Sequence, residues 1–140
     1  MRAIGTFEVQ TWDEKPYDLL PGGAKLSRAS VTQTFDGDLR GIGTAEFLLM
    51  YPEDGPATFV GMQRIVGAVL DRDGSFTLRA DGTVEGGVAR GRWAVVPGSG
   101  SDGLRGIYGT GEFTAATGPL ASFALEYGFH WPIVGMPVYG

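Results

Sequence analysis

Turn signals cut this chain roughly every 8–15 residues, and no window between them carries the i, i+3, i+4, i+7 apolar spacing of a helix face. What lies between the cuts is short alternating sequence, the pattern of half-buried strands. The chain of 140 residues holds 24 glycines, yet 43% of it is hydrophobic. That apolar content is too high for disorder, so the glycines belong to turns and bends.

Eight strands are predicted. The first is Ile4–Trp12, with Phe7 and Val9 alternating against Thr6, Glu8 and Gln10, and a Pro- and Gly-bearing loop, Asp13–Lys25, follows. The second, Leu26–Phe35, puts Ala29, Val31, Gln33 and Phe35 on one face, and Asp36-Gly37-Asp38 makes a hairpin turn. Leu39–Tyr51 and Thr58–Leu70 are the third and fourth, joined through Pro52–Pro56. A turn at Asp71-Arg72-Asp73-Gly74 leads to the fifth, Ser75–Ala80, which Asp81-Gly82 ends. Val88–Val96, Leu104–Phe113 and Ala121–Phe129 complete the set, with a Gly- and Ser-rich loop at Pro97–Gly103. Antiparallel strands joined mostly by short turns suggest a closed meander, because closure removes exposed sheet edges. An eight-stranded barrel is just wide enough to be filled by side chains or to hold one small ligand. Residues 1–129 are expected to form this single all-β domain. Residues 130–140, apolar and carrying Pro132 and Pro137, read as a tail that packs on the barrel or on a neighbouring subunit. Glycines within strands, such as Gly43, Gly61, Gly67 and Gly91, are expected to let the strands bend.

Composition excludes several functions. With no Cys and one His, there is no thiol nucleophile, no Cys-ligated metal site and no His-rich metal cage. A formal net charge of −5 argues against nucleic acid as a partner. The acidic residues Asp36, Asp38, Asp71, Asp73 and Asp81 sit at turns, without the spacing of a calcium loop. Neither a metal nor a cofactor is expected. The start of the chain lacks the apolar run of a signal peptide, and nothing approaches the ~18 apolar residues of a membrane span, so a soluble cytoplasmic protein with no membrane partner is expected.

The polar constellation that stands out is on the third and fourth strands. Alternation puts Thr44, Glu46, Leu48 and Met50 on one face, and Val60, Met62, Arg64, Val66 and Ala68 on another. If Tyr51 pairs with Phe59, Glu46 falls opposite Arg64, whereas one residue of slip sets it opposite Gln63. One reading is a structural ion pair. The other is a charged pair inside the barrel, in which Arg64 tunes Glu46 as an acid or base. Glu46 and Arg64 are therefore the candidate catalytic residues. Gln33, Gln63, Met62, Trp93, Tyr108 and Tyr127 are the candidate ligand contacts. Ser99 has no evident triad partners, and His130, at a strand end, reads as a capping or surface residue.

The pieces Thr32-Gln33-Thr34-Phe35, Gly43-Thr44-Ala45-Glu46, Gly74-Ser75-Phe76 and Val95-Val96-Pro97-Gly98-Ser99-Gly100, with Gly5-Thr6-Phe7-Glu8-Val9 and Trp12-Asp13-Glu14 ahead of them, resemble a bacterial family of small uncharacterised proteins. The resemblance implies an eight-stranded antiparallel barrel of the allene oxide cyclase type, also similar to dirigent proteins. It implies an apolar pocket and assembly into homo-oligomers. The chain departs from the pattern at Arg79-Ala80, where Gln-His is expected, and at Gln63, where Glu is usual. The function expected is binding of a small hydrophobic molecule in the barrel interior, with a cofactor-free cyclase or isomerase activity as one possibility. A non-catalytic carrier and a filled structural barrel are the alternatives. A ligand site of ordinary size requires a cavity of ~300 Å³ or more.

Overall fold

The alternating segments become nine strands in the computed structural model, which describes residues 1–116 and 119–130. They are β1 (Arg2–Leu19), β2 (Lys25–Gly37), β3 (Leu39–Tyr51), β4 (Ala57–Val69), β5 (Arg72–Glu85), β6 (Val88–Val95), the two-residue β7 (Ser101–Asp102), β8 (Ile107–Ala115) and β9 (Leu120–Phe129). All pairings are antiparallel. The order β4-β3-β2-β1-β9-β8-β6-β5 is closed by pairing of β4 with β5, so the eight long strands form a barrel with no free edge between them. β7 is an appendage on Gly74 and Ser75 of β5. No helix among the described residues is long and apolar enough to cross a membrane. The expected packing of the 130–140 tail lies outside the described residues, apart from His130.

Two strands are longer than their turn residues suggest. β1 continues past Trp12 to Leu19, so most of the expected 13–25 loop is strand. It stays paired with β2, from Asp13 opposite Ser30 to Leu19 opposite Lys25, and a register shift between Pro16 and Asp18 accommodates the proline. β5 runs through Asp81-Gly82 instead of ending there. Asp81 points outward to Arg92, and Gly82 lies directly opposite Gly91 of β6. A side chain at Gly91 would collide with the Phe113 ring, and one at Gly82 would run into the Arg90 carbonyl of β6 and then into Gly91 Cα and the Phe59 ring. These two glycines make room for aromatic rings laid against the barrel wall.

The interior is packed through most of its length. Leu39, Val69, Phe76, Leu104, Ile107 and Leu125, none more than 2% exposed, plug the end where the chain turns at Asp38 and Leu70. Above them Phe7, Phe35, Trp93, Phe113 and Phe123 form a layer of rings with centroids 5.2 to 6.2 Å apart. Offset and edge-on contacts of this kind add about 0.5–1.5 kcal/mol per pair beyond area burial. The middle of the barrel is therefore solid. Among the described residues, space remains toward the opposite end, where the Pro52–Pro56 and Gly86-Gly87 turns lie.

Candidate functional site: the open end of the barrel

The bulge in β1 shapes this end. Val9 pairs with Gln33, but the next pair is Thr11 with Thr32, so Gln10 is an extra residue. Ahead of it the inward side chains are the odd-numbered Phe7 and Val9. Beyond it the phase inverts, and Trp12 and Glu14 fall opposite the inward Val31 and Ala29. A bulge re-aims side chains in this way. Without it, Trp12 would face outward.

Trp12 lies over the opening, 49% exposed, with its ring stacked on Phe47 at 6.3 Å. Its Nε1–H donates to Glu14 Oε1 at 2.8 Å. The other oxygen, Oε2, accepts from the Ser27 hydroxyl at 2.5 Å and from the Tyr51 hydroxyl at 2.6 Å. Burial pushes the Glu14 carboxyl upward. The hydrogen bonds from Ser27, Tyr51 and Trp12, helped by the charge of Lys25, outweigh that and hold it below its ordinary value. Tyr51 moves the other way: burial and the Glu14 carboxylate push its phenol up to about 12. Lys25 Nζ sits 4.8 Å from the centre of the Tyr51 ring.

Beneath Trp12 is a cleft of about 90 Å³, walled by Phe47, Leu49, Phe59, Val84, Ala89 and Ala115 and reaching Phe7 and Phe113 below. Its polar groups are two amides. Gln63 Nε2 donates to Gln33 Oε1, and the two residues are 1% and 4% exposed. They sit on β4 and β2, on either side of β3. Gly43 of β3 permits the contact, because a Cβ there would lie 3.0 Å from Gln33 Oε1 and 2.7 Å from the Phe35 ring. One hydrogen bond leaves the Gln33 NH₂ and the Gln63 carbonyl oxygen with capacity for a further partner. None of the residues lining this cleft ionises.

The expected pair on the third and fourth strands is not inside the barrel. Tyr51 does not pair with Phe59. Leu49 does, and this sets Glu46 opposite Met62 and Thr44 opposite Arg64. Gln63 and Ala45 take the inward positions, so Glu46, Met62 and Arg64 all point out. Glu46 accepts from Arg28 at 2.7 Å and from Ser30 at 3.0 Å, and the Ser30 and Arg28 bonds hold its pKa below the ordinary value. Arg64 reaches the Ser75 hydroxyl at 3.3 Å. These residues border an open saddle of about 560 Å³ on the outer surface, produced by sheet twist. Tyr108 also points outward, its ring 4.6 Å from His130. Tyr127 is buried toward the plugged end, and Trp93 is in the aromatic layer, where its Nε1 finds no hydrogen-bond partner among the described residues. Of the expected contacts, only Gln33 and Gln63 meet at the cleft. Trp12, Glu14 and Tyr51 were not anticipated. The signal for them is the even spacing of Trp12 and Glu14 once Gln10 is read as a bulge. Among the described residues no cluster of three or more His, Asp or Glu could hold a metal ion.

A family described as a protein of unknown function, DUF3224, matches residues 3–127. Among solved structures, the chain is similar to a DUF3224-family protein of unknown function from Shewanella oneidensis MR-1. The two are 28% identical, with a TM-score of 0.80 over 93% of this chain and 98% of that one. Among curated proteins none matches.

Proposed function

The chain belongs to the DUF3224 family, whose function is unknown, and from the geometry of its barrel we propose that it binds a small hydrophobic molecule at the open end, beneath Trp12. The observation that carries this reading is the cleft itself: an apolar, aromatic-walled recess with two buried amides in its lining. Large apolar walls with a few converging polar groups are the usual composition of a ligand site.

Size limits the ligand. A recess of about 90 Å³ is well below the ~300 Å³ of typical ligand pockets. It is also below the ~150 Å³ cavity that takes a benzene ring. One ring or a short alkyl end enters if Trp12 pivots off Phe47, and Trp12 has the exposure to do so. Larger ligands would leave their remainder at the rim.

The chemistry of the lining supports binding over catalysis. A cyclase or isomerase of the allene oxide cyclase type remains compatible with the barrel, but the recess supplies no side chain that exchanges a proton near neutral pH. Glu14 is at the rim, with its carboxylate engaged by three donors. A wholly structural barrel is the competing reading, and the small volume favours it.

The test is a titration with toluene followed in ¹⁵N-edited spectra. Binding at the mouth shifts the Trp12 indole N–H and the Gln33 and Gln63 side-chain amides, and Ala115→Phe, which fills the mouth, removes the effect. Spectra that respond neither to toluene nor to a polar analogue of its size, benzamide, favour the structural barrel.

A further inference from the structure

Chemistry at the bottom of the recess narrows the ligand class, on the premise that the mouth binds a ligand at all. We infer that the ligand is electrically neutral and carries a hydrogen-bond donor and acceptor side by side on a ring-sized apolar body, as a carboxamide or lactam does.

Neutrality follows from what the recess lacks and from what flanks it. An ionised group moved from water into an apolar recess loses several kcal/mol of hydration unless a counter-charge meets it. No lining residue is charged. Two charges flank the rim and offset each other: the Glu14 carboxylate, held below its ordinary pKa and thus anionic at neutral pH, and the Lys25 ammonium, 4.8 Å from the centre of the Tyr51 ring. Neither lines the recess, so a charged group inside it meets no counter-charge. An ammonium group could reach Glu14 only at the rim, where Glu14 already accepts from Trp12, Ser27 and Tyr51.

The paired donor and acceptor follow from the glutamines. Two primary amides offer two carbonyl oxygens and two NH₂ groups. Their mutual bond uses one lone pair of the Gln33 oxygen and one hydrogen of Gln63. Left over, besides the second lone pair of Gln33 and the second hydrogen of Gln63, are the whole NH₂ of Gln33 and the carbonyl oxygen of Gln63, on side chains more than nine-tenths buried. A purely apolar ligand would bury these groups without partners, and an unsatisfied buried polar group is costly. A ligand that accepts from Gln33 and donates to Gln63 satisfies both. A hydroxyl does this with one atom, whereas a carboxamide or lactam does it with two adjacent atoms, matching the two glutamines.

Three probes of nearly equal size separate the cases: benzamide, benzoate and toluene, each titrated into the intact chain at neutral pH while the Trp12 indole and the Gln33 and Gln63 amides are followed by NMR. Benzamide is expected to bind at least tenfold more tightly than the other two. In the Q33L/Q63L variant, which removes both amides together, that preference is expected to vanish while toluene still binds. Equal or tighter binding of benzoate or toluene to the unaltered chain overturns the inference and leaves mouth binding standing. A benzamide preference that survives in a folded Q33L/Q63L variant also overturns it. No response to any of the three overturns mouth binding and this inference with it. Should Q33L/Q63L not fold, the ranking of the probes on the unaltered chain decides.

Discussion

Trp12 and Glu14, two residues apart on β1, are joined side chain to side chain, the indole Nε1–H donating to Oε1 at 2.8 Å. The carboxylate that aims the tryptophan also receives the hydroxyls of Ser27 on β2 and Tyr51 on β3. Three strands are thus tied to one acceptor beside the recess, and the position of Trp12 depends on it.

Replacing Glu14 by Ala strands the Ser27 hydroxyl, whose residue is fully buried. Leaving a buried donor unpaired costs about 1–3 kcal/mol. Urea unfolding is expected to show a lower midpoint with an unchanged slope, and the Trp12 indole N–H resonance is expected to move toward its solvent-exposed position. An indole resonance that stays in place would mean that stacking on Phe47 alone positions the ring.

The same cluster sets a pH dependence at both ends of the scale. Glu14 has a folded pKa below its unfolded value. Its contribution is therefore present above the unfolded pKa and is lost as pH falls through the folded one. Tyr51 has a folded pKa of about 12 against 10.0 unfolded. Between those two values the unfolded chain releases a proton that the folded chain keeps, so stability falls as pH rises from 10.0 to about 12. Stability measured against pH is expected to show this alkaline decline, and Tyr51→Phe to flatten it. An unchanged alkaline limb in that variant would assign the decline to other groups.

Gln33 and Gln63 are expected to be coupled in stability. Either Gln→Leu change alone leaves one buried amide without its partner, at about 1–3 kcal/mol. The double replacement removes both polar groups and costs less than the sum of the two single changes. A double-mutant cycle by chemical denaturation measures the difference, and additive values would show that the two amides do not depend on each other.

Strand faces were readable where alternation is strict. The inward set of Ala29, Val31, Gln33 and Phe35 follows directly from period two, and the hairpin at Asp36-Gly37-Asp38 fixes the β2–β3 register. The candidate ion pair was misplaced because the Pro52–Pro56 turn does not reveal how many residues it takes up. Pairing Leu49 with Phe59, not Tyr51, moves Glu46 off Arg64. Alternation cannot say which of two faces is inside when both carry apolar side chains, as β3 and β4 do with Leu48, Val60 and Met62 outside and Phe47, Leu49 and Ile65 within. Trp12 was hidden for a different reason. One bulged residue inverts the face of everything beyond it, and Gln10 has no composition signal that marks it as extra.

Outward placement of Glu46 makes its own prediction. Its partners Arg28 and Ser30 lie on the outer surface with it, in a solvent-screened pair. Surface pairs of this type contribute little. Glu46→Gln is expected to leave both toluene binding and the melting temperature unchanged, as read by the same NMR titration and by calorimetry. Loss of binding in that variant would move the site from the barrel mouth to the outer saddle.

Gly43 links the strand backbone to the recess. A methyl group at this position would meet the Phe35 ring at 2.7 Å and Gln33 Oε1 at 3.0 Å. The ring belongs to the packed aromatic layer and has little freedom to retreat, since Phe7, Trp93 and Phe123 contact it. The Gln33 amide is the softer neighbour, so it gives way, and it can do so only by leaving Gln63. Gly43→Ala is therefore expected to destabilise the barrel by about 1–3 kcal/mol, the usual range for overpacking. It is also expected to separate the side-chain amide resonances of Gln33 and Gln63 from their paired positions, and to weaken benzamide binding more than toluene binding. Destabilisation with the amide pair intact would place the strain on Phe35 instead, and would show that Gln33 reaches Gln63 without needing the gap in β3.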